Sequence, residues 1–153
     1  MPTPRPSRSG SPWIESRPDM TDPELKEILA ATRIVAVVGW SPRPDRPSHW
    51  IADYLDREAG YRVFRINPRA VGAEGIEVWP DLTSLPEAPD LVDVFRAPPA
   101  VPAIVAEAAA AGARVVWLQP GAENDEAAAE ARRLGMTAVV GECLYATHRR
   151  LAG

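Results

Sequence analysis

The chain has little of what covalent and metal chemistry need. Its single cysteine, Cys143, excludes an intrachain disulfide and suits a reducing cytoplasm. Its two histidines, His49 and His148, lie far apart, and no Cys/His spacing marks a metal site. No apolar run approaches the roughly 20 residues of a membrane span, so no membrane partner is expected. A net charge of −4 lacks the basic excess of a general nucleic-acid binder, although a local cationic pocket remains compatible with it. The phosphate-loop pattern G-x-x-x-x-G-K-[ST] is missing. Asp93 and Glu142 are single carboxylates, and no Ser-His-Asp constellation assembles.

What is present is an ordinary globular composition. A hydrophobic fraction of 46% over 153 residues suits one domain with a sizeable core. Residues 1–19 differ: Pro2, Pro4, Pro6, Pro12 and Pro18 stand among arginines and serines with no apolar period. This stretch is expected to be a disordered tail, or an over-extended start before Met20, and it lacks the apolar centre of a secretory signal. The folded domain is expected over residues 20–153.

Along that domain, strand-like and helix-like patterns alternate. Thr21-Asp22-Pro23-Glu24 opens a helix ending near Ala31. Five strands are expected, at 33–38, 61–66, 90–95, 114–118 and 137–140, each a short β-branched run. Helices are expected over 49–58, 101–111, 124–134 and 144–151, with Val78-Trp79 only a short extended piece. This alternation predicts an α/β fold: a Rossmann-like, doubly wound, parallel five-stranded sheet in the order 3-2-1-4-5, with helices on both faces in three α/β/α layers.

The chain is organised around Arg33–Ser48. A buried strand ends at Gly39, and a loop of proline, serine and arginine leads to a helix start at Pro47-Ser48. In a parallel sheet such a junction lies at the carboxyl edge, where ligands bind. Ser41 and Ser48 supply hydroxyls, Arg43 and Arg46 supply charge, and the helix N-terminus supplies N–H groups, so the stretch reads as a phosphate-binding loop. The other strand exits are Asn67–Arg69, Phe95–Pro98, Gln119–Gly121 and Gly141–Cys143. A nicotinamide site asks for G-x-G-x-x-G here and an acidic residue after the second strand. This chain has Gly39 alone, and Asn67-Pro68-Arg69 where the acid belongs. A cation in that place favours a ligand with an extra phosphate on its ribose, and both NADP and coenzyme A qualify.

At this point a resemblance enters. Val37-Val38-Gly39-Trp40-Ser41 with Arg46-Pro47-Ser48, then Asn67-Pro68, Val92-Asp93-Val94-Phe95-Arg96, Trp117-Leu118-Gln119-Pro120-Gly121, and finally Cys143 with His148 follow in order. Together they resemble the small CoA-binding proteins of bacteria, which are similar to the CoA-binding domain of succinyl-CoA synthetase. The resemblance implies binding of coenzyme A or an acyl-CoA with no catalytic chemistry of its own evident. Gly39, Ser41 and the Arg46-Pro47-Ser48 turn would hold the pyrophosphate, and Trp40 would be a further cofactor-binding residue. Asn67, Pro68 and Arg69 would border the adenosine. Phe95, Arg96 and Pro98 would line the nucleotide or pantetheine path, and Gln119 and Gly121 would touch the ligand. A homodimer is compatible with it. One departure is Gly141-Glu142, where relatives more often carry Asp-Arg. The alternatives are an NADP-dependent oxidoreductase and an interaction module with a vestigial nucleotide crevice.

Structural accounts stand beside these. Gly39 suits a tight turn, Arg46 an ion pair with Asp45 or Asp53, Arg96 a pair with Asp93, and Asn67-Pro68 a plain turn. Trp50, Tyr54 and Trp117 suit core packing. Cys143 suits an inert buried thiol as well as a reactive one. His148 suits a solvated or interfacial position.

Overall fold

The computed structural model describes residues 20–152, so the expectation of a disordered tail over 1–19 lies outside the described residues. The β-branched run after Arg33 is β1 (Ile34–Val38), buried from Val35 onward. It is joined by β2 (Arg62–Ile66), β3 (Val78–Trp79), β4 (Leu91–Val94), β5 (Val115–Leu118) and β6 (Thr137–Val140). All neighbours are parallel, in the spatial order β3-β2-β1-β4-β5-β6.

The expected five-stranded sheet in the order 3-2-1-4-5 is therefore corrected. There are six strands, and the strand after Asp90 lies beside β1, not beside β2, with Asp93 opposite Val37. The edge is taken by Val78–Trp79, where Arg65 meets Val78 and Ile66 meets Trp79. Two residues ahead of Pro80 carry no readable period, and a proline belongs at a sheet edge. With β3 counted, the order is Rossmann-like. It reverses at β1, between β2 and β4, which places a ligand crevice at that switch point.

The helices are α1 (Asp22–Ala31), α2 (Pro47–Arg57), α3 (Val101–Ala110), α4 (Asp125–Arg133) and α5 (Leu144–Leu151). Strand alternation sorts the core into two faces. Ala36, Val38, Val92, Val94, Val116 and Leu118 meet α3 and α4. Val35, Val37, Leu91, Val115, Trp117 and Val139 meet α1, α2 and α5 through Leu25, Ile51, Leu55 and Leu144. Among the described residues no helix is long and apolar enough to cross a membrane.

Two helix starts contrast. A capping box closes α1: the Glu24 N–H donates to Thr21 Oγ1 at 3.3 Å and the Thr21 N–H donates to Glu24 Oε1 at 2.8 Å. In α2 the N-cap residue is Arg46, which has no capping oxygen, and Pro47 stands in the first turn. Pro47 has no N–H, and the His49 and Trp50 N–H groups donate to the Arg46 carbonyl at 2.9 and 3.2 Å, which leaves the Ser48 N–H of this turn for a ligand.

Candidate functional site at the carboxyl edge

The strand exits converge on two adjoining depressions. The first, about 450 Å³, is lined by the loop after β1 (Gly39, Ser41, Arg43, Arg46, Pro47, Ser48), by Val94, Phe95 and Arg96 after β4, and by Gln119–Ala122 after β5. The second, about 620 Å³, lies between the β1, β2 and β3 exits and includes Asn67, Pro68, Arg69, Pro80, Asp81 and Glu107. Gly39 and Arg96 border both, so the two form one crevice with a waist at those residues.

Gly39 makes that waist possible. Its φ of +88° is in the left-handed region, and a Cβ there would stand 2.3 Å from the Phe95 carbonyl oxygen and 2.9 Å from Arg96 Cδ. The β1 loop therefore passes directly over the β4 exit. The N–H groups of Gly39 and Trp40 both donate to the Ile66 carbonyl, at 3.0 and 3.2 Å. They are occupied in holding the loop to β2, so the donors left for an anion are further along it.

Those donors are hydroxyls and guanidinium groups. Ser41 Oγ accepts from the Arg43 N–H at 3.2 Å and keeps its own proton to donate. Ser48 is nearly buried, in the first turn of α2. The ion pair weighed for Arg46 does not form: Asp45 lies 3.4 Å from Arg43, and Asp53 lies 3.0 Å from Arg65. Nor does Arg96 pair with Asp93, whose carboxylate is wholly buried and makes no hydrogen bond. Arg46, Arg69 and Arg96 are exposed and make no ion pair among the described residues. Gln119 is almost wholly buried; its Oε1 accepts the Leu144 N–H at 2.8 Å and ties the β5 exit to the start of α5.

The structure thus gathers Gly39, Ser41, Arg46, Pro47, Ser48, Phe95, Arg96, Gln119 and Gly121 around the first depression and Asn67, Pro68 and Arg69 around the second. Two expected residues line neither. Trp40 is fully buried beneath the loop, its ring stacked on His49 with centroids 5.4 Å apart. Pro98 opens the short 3₁₀ turn (Pro98–Ala100) ahead of α3. Asn67 is a turn residue as well as a lining one: it donates from Nδ2 to the Trp40 carbonyl at 2.7 Å, and its Oδ1 accepts the Arg69 N–H at 2.9 Å.

Residues outside the expected set also border the crevice. Asp81 and Glu107 sit at the second depression, but both carboxylates have structural bonds. Asp81 accepts from the Thr83 hydroxyl and the Ser84 N–H, which hold its carboxyl below the ordinary range, and Glu107 accepts the Leu82 N–H at 2.8 Å. No periodicity marks them, because they come from the short β3 exit and from α3.

The C-terminal corner is less open. Cys143 is half-buried at the N-cap of α5 with no capping bond. His148 is half-buried: its Nδ1 is 2.7 Å from the Tyr54 hydroxyl and its ring packs edge-on to Tyr54 and Tyr61, and burial holds its pKa below the ordinary value. Among the described residues no group of three His, Cys, Asp or Glu side chains is arranged to hold a metal.

The chain is similar to known proteins in sequence and fold. A protein from Thermus thermophilus, the cell-free ID.343 structure, is 39% identical with a TM-score of 0.80, over 86% of this chain and 99% of that one. A hypothetical protein from Pyrococcus horikoshii OT3 is 34% identical with a TM-score of 0.84, over 89% of this chain and 95% of that one. YneT of Bacillus subtilis (strain 168) is 34% identical over 125 residues, 82% of this chain and 92% of YneT. The CoA binding domain family matches residues 33–149, the span that runs from β1 through every strand exit of the crevice. By that match, and on this fold, the chain belongs to the CoA-binding domain family.

Proposed function

We propose that the chain binds coenzyme A or an acyl-CoA across this crevice, with the pyrophosphate against the Gly39–Ser48 loop and the start of α2. One observation carries the reading: Arg43, Arg46 and Arg96 line the first depression together with Ser41 and Ser48, and no carboxylate lines it among the described residues. A wall of that sign attracts a dianion, and guanidinium groups bond phosphate oxygens bidentately. Arg69 and Asn67 in the second depression suit the phosphorylated ribose of the adenosine end. Phe95 and Val94 offer apolar contact for the adenine or pantetheine. The proposal is of binding; it includes no catalytic step. The free cysteine suits the cytoplasm as its compartment.

The test is calorimetric titration of CoA into the wild type and Arg46→Ala. The variant is expected to lose about 1.5–3 kcal/mol, the contribution of a charged hydrogen bond. Equal affinity removes Arg46 from the site. A thermal-shift comparison of CoA, 3′-dephospho-CoA, NAD and NADP reads the ligand class. Stabilisation by NADP but not CoA favours the reductase, and no shift with any of the four favours an interaction module. Arg69→Ala is expected to erase the preference for CoA over 3′-dephospho-CoA.

A further inference from the structure

We propose that His49 is the positioning residue of the Gly39–Ser48 loop: its Nδ1–H holds the Ser41 carbonyl away from the crevice, so that the loop offers donors to a phosphate and withholds acceptors. The proposal deepens the anion-binding reading above and rests on it for the ligand.

After Gly39 the chain turns, and the next two carbonyl groups need partners. The Trp40 carbonyl accepts from Asn67 Nδ2 at 2.7 Å, and the Ser41 carbonyl meets His49 Nδ1 at 2.8 Å. A carbonyl oxygen only accepts, so the proton of that contact belongs to Nδ1. Ser41 lines the first depression, whereas His49 does not. The Ser41 carbonyl is thus directed at a ring outside the crevice. Left free, it would present partial negative charge where a phosphate oxygen has to approach.

The ring is held from three sides. It stacks on Trp40 with an interplanar angle of 26°, and Trp40 is fully buried. Its Nε2 faces Asp53 Oδ2 at 3.6 Å. Asp53 Oδ1 in turn accepts from Arg65 at 3.0 Å, on a side chain only 13% exposed. The Ser41 carbonyl, which only accepts, fixes the proton on Nδ1, and the Trp40 stack fixes the plane of the ring. His49 also stands in the first turn of α2. Its bond therefore fastens the loop to the same helix start that carries the Ser48 N–H and hydroxyl, and the two halves of the anion site keep one geometry.

Two variants separate the donor from the ring. His49→Phe keeps an aromatic ring against Trp40 and removes the Nδ1–H. His49→Asn removes the ring and keeps an N–H at nearly the same place. Two readouts apply: CoA affinity by calorimetry, and hydrogen exchange of the Ser41, Arg43 and Arg46 amides in the ligand-free protein. His49→Phe is expected to bind CoA about tenfold more weakly, the loss of one buried hydrogen bond, and to exchange those amides about tenfold faster. His49→Asn is expected to stay within about threefold of wild type on both. Asp53→Asn, which leaves ring and donor in place but loosens their orientation, is expected to cost about two- to threefold in affinity and serves if His49→Phe does not fold.

His49→Phe matching wild type in both readouts overturns the proposal. So does His49→Asn failing as badly as His49→Phe, because ring packing would then be the cause. If wild type itself takes no CoA, the ligand reading fails, while the amide exchange in the ligand-free protein still decides the role of His49.

Discussion

The two faces of the sheet are built from different materials. The face under α3 and α4 is mainly aliphatic: its buried hydrophobic set is Ala, Val, Leu, Ile and Met, with Trp79 packed against it at the edge. The face under α1, α2 and α5 holds Trp40, Trp117 and Tyr54, and by strand alternation it also receives Asp93, between Val37 and Trp117. Two of its polar groups are orphaned, the Asp93 carboxylate and Trp40 Nε1. The aliphatic face supplies stability and, at its carboxyl edge, apolar lining such as Val94 and Ile104. The aromatic face supplies stability and also the contacts that shape the crevice: Trp40 beneath the loop, His49 stacked on it, and Gln119 bonded to the start of α5.

Neighbouring residues of β5 test this division with the largest expected effects. Trp117 and Leu118 are both fully buried and point to opposite faces. Trp117→Ala is expected to cost about 3–5 kcal/mol and Leu118→Ala about 2–5 kcal/mol in chemical denaturation. Their effects on ligand binding differ. Trp117 Nε1 donates to the Glu142 carbonyl at 2.9 Å, just before the Leu144 N–H that holds Gln119. If the chain binds CoA as proposed, Trp117→Ala is expected to weaken that binding in the protein that remains folded, and Leu118→Ala to leave it unchanged. Equal losses of affinity in the two variants break the comparison.

Asp93 gives the next effect. Burial pushes its carboxyl well above the ordinary value of 3.8. The folded protein therefore keeps a proton that the unfolded chain releases above that value. With more protons bound in the folded state, stability falls as pH rises, from near the ordinary carboxylate range until the folded group itself ionises. Below pH 4 the residue is protonated in both states and this loss vanishes. Asp93→Asn has nothing to titrate. It is expected to match wild type near pH 4 and to gain on it by up to about 1.4 kcal/mol per pH unit above that, measured by denaturation across pH. A difference that is flat with pH means Asp93 has a partner and is not an orphan.

How much of this was legible in the sequence follows from the range of each signal. Every strand of four or more residues and all five helices lie within two residues of their expected positions, because β-branched runs, prolines at helix starts and glycines after helix ends are local. The edge strand Val78–Trp79 was missed as a strand for want of length. That the strand exits share one edge was readable from the alternation of elements; that the β4 exit sits directly beside β1 was not, because the expected order put that strand beside β2. The direction of individual side chains was not: Trp40 follows directly on Gly39, yet its ring goes down into the core while Ser41 faces the crevice. Partners chosen in space were also hidden. Asp53 goes to Arg65 and leaves Arg46 free, and His148 meets Tyr54 across 94 positions of chain.

Trp40 provides the smallest and most exacting test. Its indole is fully buried, stacked on His49, and its Nε1 makes no hydrogen bond. Trp40→Phe keeps a ring for the stack and removes the orphaned donor. Loss of ring volume in a packed core destabilises, whereas removal of an unsatisfied buried donor recovers a desolvation cost of about 1–3 kcal/mol. The two terms oppose each other, and the net change is expected within about 1 kcal/mol of zero. If Trp40→Phe instead costs more than about 2 kcal/mol, its Nε1 is satisfied in solution, by an ordered water or by a shared contact with Asp93. A double-mutant cycle with Asp93→Asn separates those two: coupling appears only if the indole and the carboxyl group interact. Additive effects leave the aromatic face with two independent orphans, where the other face has Trp79 Nε1 at its edge.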